Sequence, residues 1–371
     1  MIDRGIIDAV EARLGQLWRR SRLDLPLLGA LLLVCAVGLM TLYSASAESP
    51  MQVLNQAVRM GLGFVVMLVF SRVPPMWFRT VTPWFYMGTM ALLVLVLAIG
   101  EGRGANRWLD LKVLRFQPSE LAKLALPMMV SWYLHTRALP PRWRDLFACA
   151  ALIGVPALLI AKQPDLGTAV LVGASGAFVV FLSGLAWRRI VLLIGGAMAA
   201  VPLAWHFMHE YQRNRVRMLI DPEADPLGLG WNIIQSKIAV GSGGLFGKGW
   251  MGSTQARLDF LPEHTTDFIF AVYSEEFGLL GVILLMAVYL FIIGRGLWIA
   301  ANARDTWSRL IAGSISMTFF VYVMVNGGMI SGLLPVVGVP MPLVSYGGTS
   351  AVSLLASFGL LMSIHSHRRN S

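Results

Sequence analysis

Residues 25–43, LPLLGALLLVCAVGLMTLY, run for nineteen positions without a charged side chain. A bilayer core of ~30 Å is crossed by about 20 apolar residues in a helix, so this stretch asks for lipid. Nine more follow: Ala57–Phe70, Trp84–Ile99, Leu121–His135, Leu146–Ala161, Leu166–Leu185, Ile190–Phe207, Phe268–Ile293, Leu310–Ile330 and Ser350–Ile364. Hydrophobic residues make up 56% of the chain and charged residues 13%, with a mean hydropathy of +0.67, which excludes an ordinary soluble globule. Lipid offers the backbone no hydrogen-bond partner, so continuous spans of this length read as helices rather than barrel strands. The expectation is an all-α polytopic membrane protein with ten transmembrane helices, a single domain over residues 1–371. A long extracytoplasmic loop, Met208–Thr266, separates the seventh and eighth helices.

Basic residues set the orientation. With both termini inside, the cytoplasmic segments hold seventeen Lys and Arg and the short outer loops five. The positive-inside rule therefore makes both termini cytoplasmic. The long segment adds six more, but translocated loops of about 60 residues weigh little in that rule. The pI near 10.1 is then a product of topology, and cations dispersed over both faces make no nucleic-acid footprint. Ile6, Ile7, Val10, Leu14 and Trp18 share one helical face beside Arg13, Arg19 and Arg20, which suits a cytoplasmic amphipathic segment (1–23) on the inner leaflet. The first span mimics a signal peptide ending at Ala45-Ser46-Ala47, but its length and the nine spans after it favour a retained anchor. Cys35 and Cys149 fall inside spans and read as small buried hydrophobes. No paired His or Cys spacing suggests a metal site.

Polar groups at membrane depth are costly and mark function. The loop after the third span, GRGANRWLDLKVLRFQPSELAKL from Gly102, clusters Arg103, Arg107, Lys112 and Arg115 around Trp108 and leads to Glu120 and Lys123. Snorkelling cations with a structural Glu–Lys pair compete there with a substrate site. In KQPDLGT from Lys162, Pro164 ends one helix and Asp165 either caps the next or orients a basic partner. The long segment holds RNRVR from Arg213, WNIIQSKIAVGSGGLFGKGW from Trp231 and LPEHTTDFIF from Leu261. Its glycines mimic a phosphate loop and fail the test. Ser242 stands where the first glycine belongs, and Gly249 where the magnesium-binding hydroxyl belongs. Asp267, with Glu263 and His264 nearby, is either a first-turn acid matched to the helix dipole or a base at the membrane surface. The run NGGMISGLLPVVGVPMPLVSYGGTS from Asn326 is too rich in Gly and Pro for one helix. Such backbone is tolerated at this depth only against protein or a water-filled cavity, so a re-entrant or capping loop is expected. Gly347 and Gly348 either pack helices or offer amides to an anion.

Jointly these motifs resemble the SEDS family (shape, elongation, division and sporulation) of bacterial cell-envelope proteins. The late run follows the family pattern from Asn326 through Gly332, Pro335 and Gly338 to Ser345-Tyr346-Gly347-Gly348-Thr349-Ser350. GANRWL, QPSELAKL, KQPDLGT, IIQSKIAVGSGGLFGKGW and HTTDFIF stand in family order and spacing. Gly247-Lys248-Gly249-Trp250 followed by Ser253-Thr254-Gln255, and the short N-terminal segment, are nearer the elongation branch than the division branch. Thr265 departs from the expected His-Thr-Asp, which leaves His264 without an assured role and Asp267 unaffected.

The resemblance implies a peptidoglycan glycosyltransferase that polymerises lipid II into β-1,4 glycan strands for elongation and rod shape. It works at the outer face of the cell inner membrane and releases undecaprenyl pyrophosphate. Its implied partners are a class B penicillin-binding protein as transpeptidase and the elongation machinery. It makes Asp267 catalytic. Arg107, Trp108, Arg115, Arg213, Arg215, Lys237, Lys248, Ser345, Gly347 and Gly348 become substrate-binding candidates, and Glu120, Lys123 and Asp165 a structural support. Inversion at the sugar needs one carboxylate to take the incoming hydroxyl proton, while the pyrophosphate needs neutralising charge more than a proton. No cofactor is evident, and a divalent cation, magnesium or manganese, at the pyrophosphate stays open. Two rival readings remain, a lipid II flippase and a non-catalytic scaffold for the transpeptidase. The internal repeat common in transporters is not seen.

Overall fold

The computed structural model describes residues 23–100, 107–110, 115–208, 210–221, 230–258 and 260–368. The expected amphipathic segment before Leu23, together with Arg103 and Lys112, lies outside them. In chain order the first helices are α1 (Leu25–Ala45), α2 (Pro50–Arg72) and α3 (Pro75–Ile99). An antiparallel pair of two-residue strands, β1 (Leu109–Asp110) and β2 (Arg115–Phe116), precedes α4 (Pro118–Leu134), α5 (Trp143–Lys162), α6 (Leu166–Leu182) and α7 (Trp187–Phe207). The outer segment is partly helical, with α8 (Glu210–Ile220), α9 (Trp231–Ser242) and α10 (Thr254–Arg257). The chain ends with α11 (Ile269–Ala301), α12 (Thr306–Ile330) and α13 (Gly348–His367). All ten apolar stretches land on helices. Among the described residues seven of these, α1, α2, α3, α5, α11, α12 and α13, are long and apolar enough to cross a bilayer, and α6 is a shorter apolar helix.

Local chemistry explains the boundaries. Proline opens α1, α2, α3 and α4 in the first turn, where its missing N–H costs nothing. Asp24, Asp165 and Asp305 cap α1, α6 and α12 by accepting from Leu27 N, Thr168 N and Ser308 N at 3.1, 3.2 and 3.0 Å. Hydropathy alone starts α2 at Ala57, but the helix begins at Pro50. Its polar first turns carry Gln52, Asn55 and Gln56, and a helix ladder does not depend on side-chain polarity.

Packing ties the helices into one bundle. Helix α13 lies along α2, α11 between α1 and α12, and α4 against α3, α6 and α12. A Cβ at Gly359 of α13 would come within 2.7 Å of the Met67 carbonyl on α2, so only glycine allows that approach. Trp307, Tyr289, Tyr322, Phe319 and Phe358 fill the centre, with the Phe319 and Phe358 rings edge-on at 5.1 Å. Helix α7 instead exposes every residue from Val191 to Pro202.

Helix α11 is broken at Gly278, whose φ is +62°. The turn Gly243–Gly249 lies in the break and replaces the lost ladder. Lys248 N and Gly249 N donate to the Glu275 and Glu276 carbonyls at 3.0 Å each. Leu279 N and Leu280 N donate to Gly244 O and Leu245 O at 2.9 and 3.1 Å. A Cβ at Gly247 would sit 2.1 Å from Glu276 O. The glycines that mimic a phosphate loop are there for backbone contact.

Candidate active site

Asp267 stands two residues before α11, just ahead of its first turn. Burial pushes its carboxyl up to about 6 from the usual 3.8; Glu263 adds to this, Arg215 opposes it and Asp165 adds again. Asn326 of α12 fixes the backbone beneath it, its Nδ2 donating to Asp267 O at 2.9 Å and to Val339 O at 2.7 Å. A Cβ at Gly338 would lie 3.4 Å from Asp267 Oδ2, so the absence of a side chain there keeps the carboxylate accessible. One residue earlier, the Val337 carbonyl presses on Gly167 in the first turn of α6. That contact brings the Asp165 cap to the same cleft.

The segment between α12 and α13 starts exposed at Leu333 and Leu334 and ends in a buried plug from Met341 to Ser345. Val344 is wholly buried, and Tyr289 Oη donates to Pro342 O at 2.6 Å. Gln56 clamps the far end, with Nε2 donating to Ser345 O and Oε1 accepting from Gly347 N, each at 3.2 Å. Tyr346 N donates to Thr265 O at 2.9 Å, joining the plug to the turn leading into Asp267.

Two acid–base pairs flank this cleft. Arg107 caps the C-terminal end of α5 by donating to Gln163 O at 3.1 Å and to Pro164 O, and its Nη1 lies 3.7 Å from Asp165 Oδ2. Gln117 Nε2 donates to the same oxygen at 3.2 Å. Deeper, Lys123 Nζ meets Glu120 Oε1 at 2.6 Å, Ser353 Oγ donates to Glu120 Oε2 at 2.7 Å, and the ammonium lies 5.1 Å from the Tyr322 ring centre. Glu120, Lys123 and Asp165 thus form two clusters instead of the single network expected.

The basic candidates separate by what already holds them. Arg215 alone among them acts on the Asp267 carboxyl through its charge. Lys237 is exposed, its chain crossing Gly332. Arg213 is a correction: it donates to the Trp205 and His206 carbonyls at 3.1 and 2.9 Å and pairs with Glu210, so it caps α7. Lys248 is another. Its ammonium binds the buried Glu275 carboxylate at 2.5 Å and Thr254 Oγ1 at 3.0 Å, while Ser253, Thr254 and Gln255 also donate to that carboxylate. Ser345 and Gly347 are corrected as well, since Ser345 Oγ accepts from Met341 N at 2.8 Å and the Gly347 amide belongs to Gln56. Trp108 is half-buried next to β1, and the Arg115 side chain lies outside the described set.

Sequence reasoning missed Arg59 and the groove beside it. An apolar groove of about 640 Å³ opens between α2, α3, α4 and α13, lined by Phe70, Phe78, Phe85 and Leu124, with Arg59, Glu120, Thr349 and Ser353 as its polar side chains. The Arg59 guanidinium lies 5.0 Å from the Tyr346 ring centre and 3.7 Å from where a Gly348 Cβ would be. The available signal was a cation one turn beyond Gln56 inside a span counted as apolar. Among the described residues no group of three or more His, Cys, Asp or Glu is placed to hold a metal ion.

A helical bundle with seven membrane-length apolar helices among the described residues, a half-buried carboxylate at a helix mouth and an apolar groove defines an integral membrane protein. The comparisons then identify the lineage. The profile of the FtsW/RodA/SpoVE family, described as Cell cycle protein, matches residues 24–370, and the chain belongs to that family. It is 50% identical over 354 residues to the peptidoglycan glycosyltransferase MrdB of Escherichia coli K12, covering 95% of this chain and 96% of that one. The solved structure described as "Structural coordination of polymerization and crosslinking by a peptidoglycan synthase complex" contains a chain of 34% identity and TM-score 0.82, with 94% of this chain and 99% of that chain covered. The rod shape determining protein RodA of Thermus thermophilus gives a TM-score of 0.72 at 30% identity, over 94% of this chain and 98% of that chain.

Proposed function

We propose that this chain is a peptidoglycan glycosyltransferase that polymerises lipid II, with Asp267 as the general base. The observation that carries the residue assignment is the placement of Asp267. A carboxyl raised to about 6 is mostly ionised at neutral pH yet basic enough to take a proton, the compromise general-base catalysis requires. Its Oδ accepts the proton of the acceptor sugar's 4-hydroxyl as O4 bonds to the donor's anomeric carbon. The bond from that carbon to the diphosphate oxygen breaks, and the lipid diphosphate leaves with the electron pair. Arg215 and Lys237 are the cations we assign to the diphosphate charge, Arg107 being held by the end of α5 and by Asp165. The apolar groove with Arg59 at its polar side suits a prenyl chain that stays in the bilayer while its headgroup reaches the cleft. This scheme needs no resident cofactor, and a divalent cation would act on the diphosphate itself.

Orientation follows from the same chemistry, with the Asp267 end facing outward, both termini in the cytoplasm and the bundle in the cell inner membrane. A class B penicillin-binding protein is the proposed transpeptidase partner, since the synthase complex resembled by this fold couples polymerisation and crosslinking. The test supplies lipid II only to the outer leaflet of proteoliposomes holding the chain and that partner. Glycan formation is expected. Movement of lipid II between leaflets without glycan would instead favour a flippase, and neither event a scaffold.

A further inference from the structure

The outer turn that fills the break in α11 also carries apolar side chains that nothing among the described residues covers. Leu245 is 61% exposed, Phe246 78% and Trp250 49%. Two helices independently give the height of this turn. At one end of the bundle Arg295 of α11 binds Asp24, the cap of α1, at 2.9 Å. From there the twenty residues of α1 to Ser44 rise ~30 Å, and the seventeen of α11 back to Gly278 rise ~26 Å. Both reach the same level, since Ser44 Oγ donates to Glu276. That rise is about one hydrocarbon core, so Ser44 and Gly278 mark its far boundary.

The turn does not stand above this boundary. Trp250 Nε1 donates to Met40 O at 3.2 Å and its ring lies 6.1 Å from that of Tyr43, on the bilayer side of Ser44. The Leu279 and Leu280 amides bond Gly244 and Leu245, which places the turn against Leu279 and Leu280, one helical turn from Ile283 and Leu284. Those four side chains are about half exposed or more, from 49% to 67%, and lie on the spanning part of α11. The apolar surface of the span therefore continues without a break onto the turn. A Trp with its indole N–H satisfied, packed near a Tyr at that level, is a usual anchor of a membrane interface.

We propose that Leu245, Phe246 and Trp250 form a lipid-immersed wedge that seats the outer segment in the boundary layer of the bilayer. The Lys248–Glu275 pair and the four backbone bonds tie this wedge to α11. Lipid contact at the turn is thereby transmitted to the helix that begins at the Asp267 cleft.

The test uses the full-length chain in phospholipid nanodiscs. Phe246→Cys is spin-labelled, the natural Cys35 and Cys149 being only 5% and 1% exposed. Collisions with oxygen, which concentrates in lipid, are compared with those of a water-soluble nickel chelate. Leu284→Cys supplies the lipid reference, and Arg257→Cys, beside Glu48 at 4.0 Å, the aqueous one. The expected oxygen-to-nickel ratio at 246 is within about twofold of the lipid reference, as for a side chain seated in the interface. A ratio like that at 257 overturns the proposal in favour of a water-facing turn. Suppression of both collisions overturns it in favour of a covering protein surface. Leu245→Cys reads the same face, so a single misfolded variant does not decide the outcome.

Discussion

Replacing Asp267 by Asn should abolish activity and stabilise the protein, and the two effects have one cause. The carboxyl is raised from 3.8 to about 6, which at 1.36 kcal/mol per pKa unit makes ionising it in the folded protein cost about 3 kcal/mol more than in the unfolded chain. Below about pH 4 both states are protonated and nothing is lost. As pH rises from 3.8 the unfolded chain ionises first, so folded stability falls until the folded group titrates near 6 and is then constant. Asn keeps the shape and removes the charge. Thermal unfolding at pH 7.5 should show Asp267→Asn more stable than wild type, by up to about 3 kcal/mol, with the gain vanishing near pH 4. Lipid II polymerisation should fall by ~10²–10⁴-fold. In the wild type the rate should drop roughly tenfold between pH 7 and pH 5, with its midpoint near 6. An Asn variant less stable than wild type at pH 7.5, or one that still polymerises, would refute the reasoning. The first outcome would make Asp267 a helix-terminal support, and the second would place the base elsewhere.

Further tests address its neighbours. Arg215→Gln removes the charge that holds the Asp267 carboxyl down, so the acid limb of the pH–rate profile should move to higher pH, which activity measured from pH 5 to 8 will show. Lys123→Ala strands the buried Glu120 carboxylate and should cost about 3–5 kcal/mol in an unfolding assay, with partial recovery in Glu120→Gln/Lys123→Ala. Gly247→Ala drives a Cβ to 2.1 Å from Glu276 O at φ +80°. The left-handed backbone alone costs roughly 1–2 kcal/mol, so protease cleavage in Gly243–Trp250 should accelerate well before the bundle unfolds.

The ten apolar stretches were readable as helices because each is contiguous and lipid leaves the backbone no alternative, and seven of the described helices are long and apolar enough to cross a bilayer. Only the ends were misplaced. Hydropathy ignores polar first turns such as Gln52 to Gln56, where the ladder continues regardless. Asp165 as a cap and Glu120 with Lys123 as a pair were equally legible, since both are contacts within three residues. The resemblance singled out Asp267, and the structure adds its surroundings: Gly338 opposite the carboxylate, Asn326 below it and Arg215 across it.

The basic residues could not be sorted from sequence. Arg213, Arg215 and Lys248 are alike as letters, yet one caps α7, one faces the carboxylate and one is held by Glu275, 27 residues away. An arginine or lysine reaches several partners from one backbone position, so its role depends on which carbonyls and carboxylates the bundle brings within range. Arg59 was hidden for the same reason, because α13 supplies the Gly348 end of its groove from the far end of the chain. Sequence alone determined that the chain crosses a membrane as helices, where they run and which aspartate stands at a span's mouth, since these follow from composition and short-range spacing. The plug clamped by Gln56, the turn laid into the break at Gly278 and the division of cations between structure and cleft were decided only by tertiary packing. Each depends on a buried polar group finding its partner across tens to hundreds of residues, and no local pattern encodes that choice.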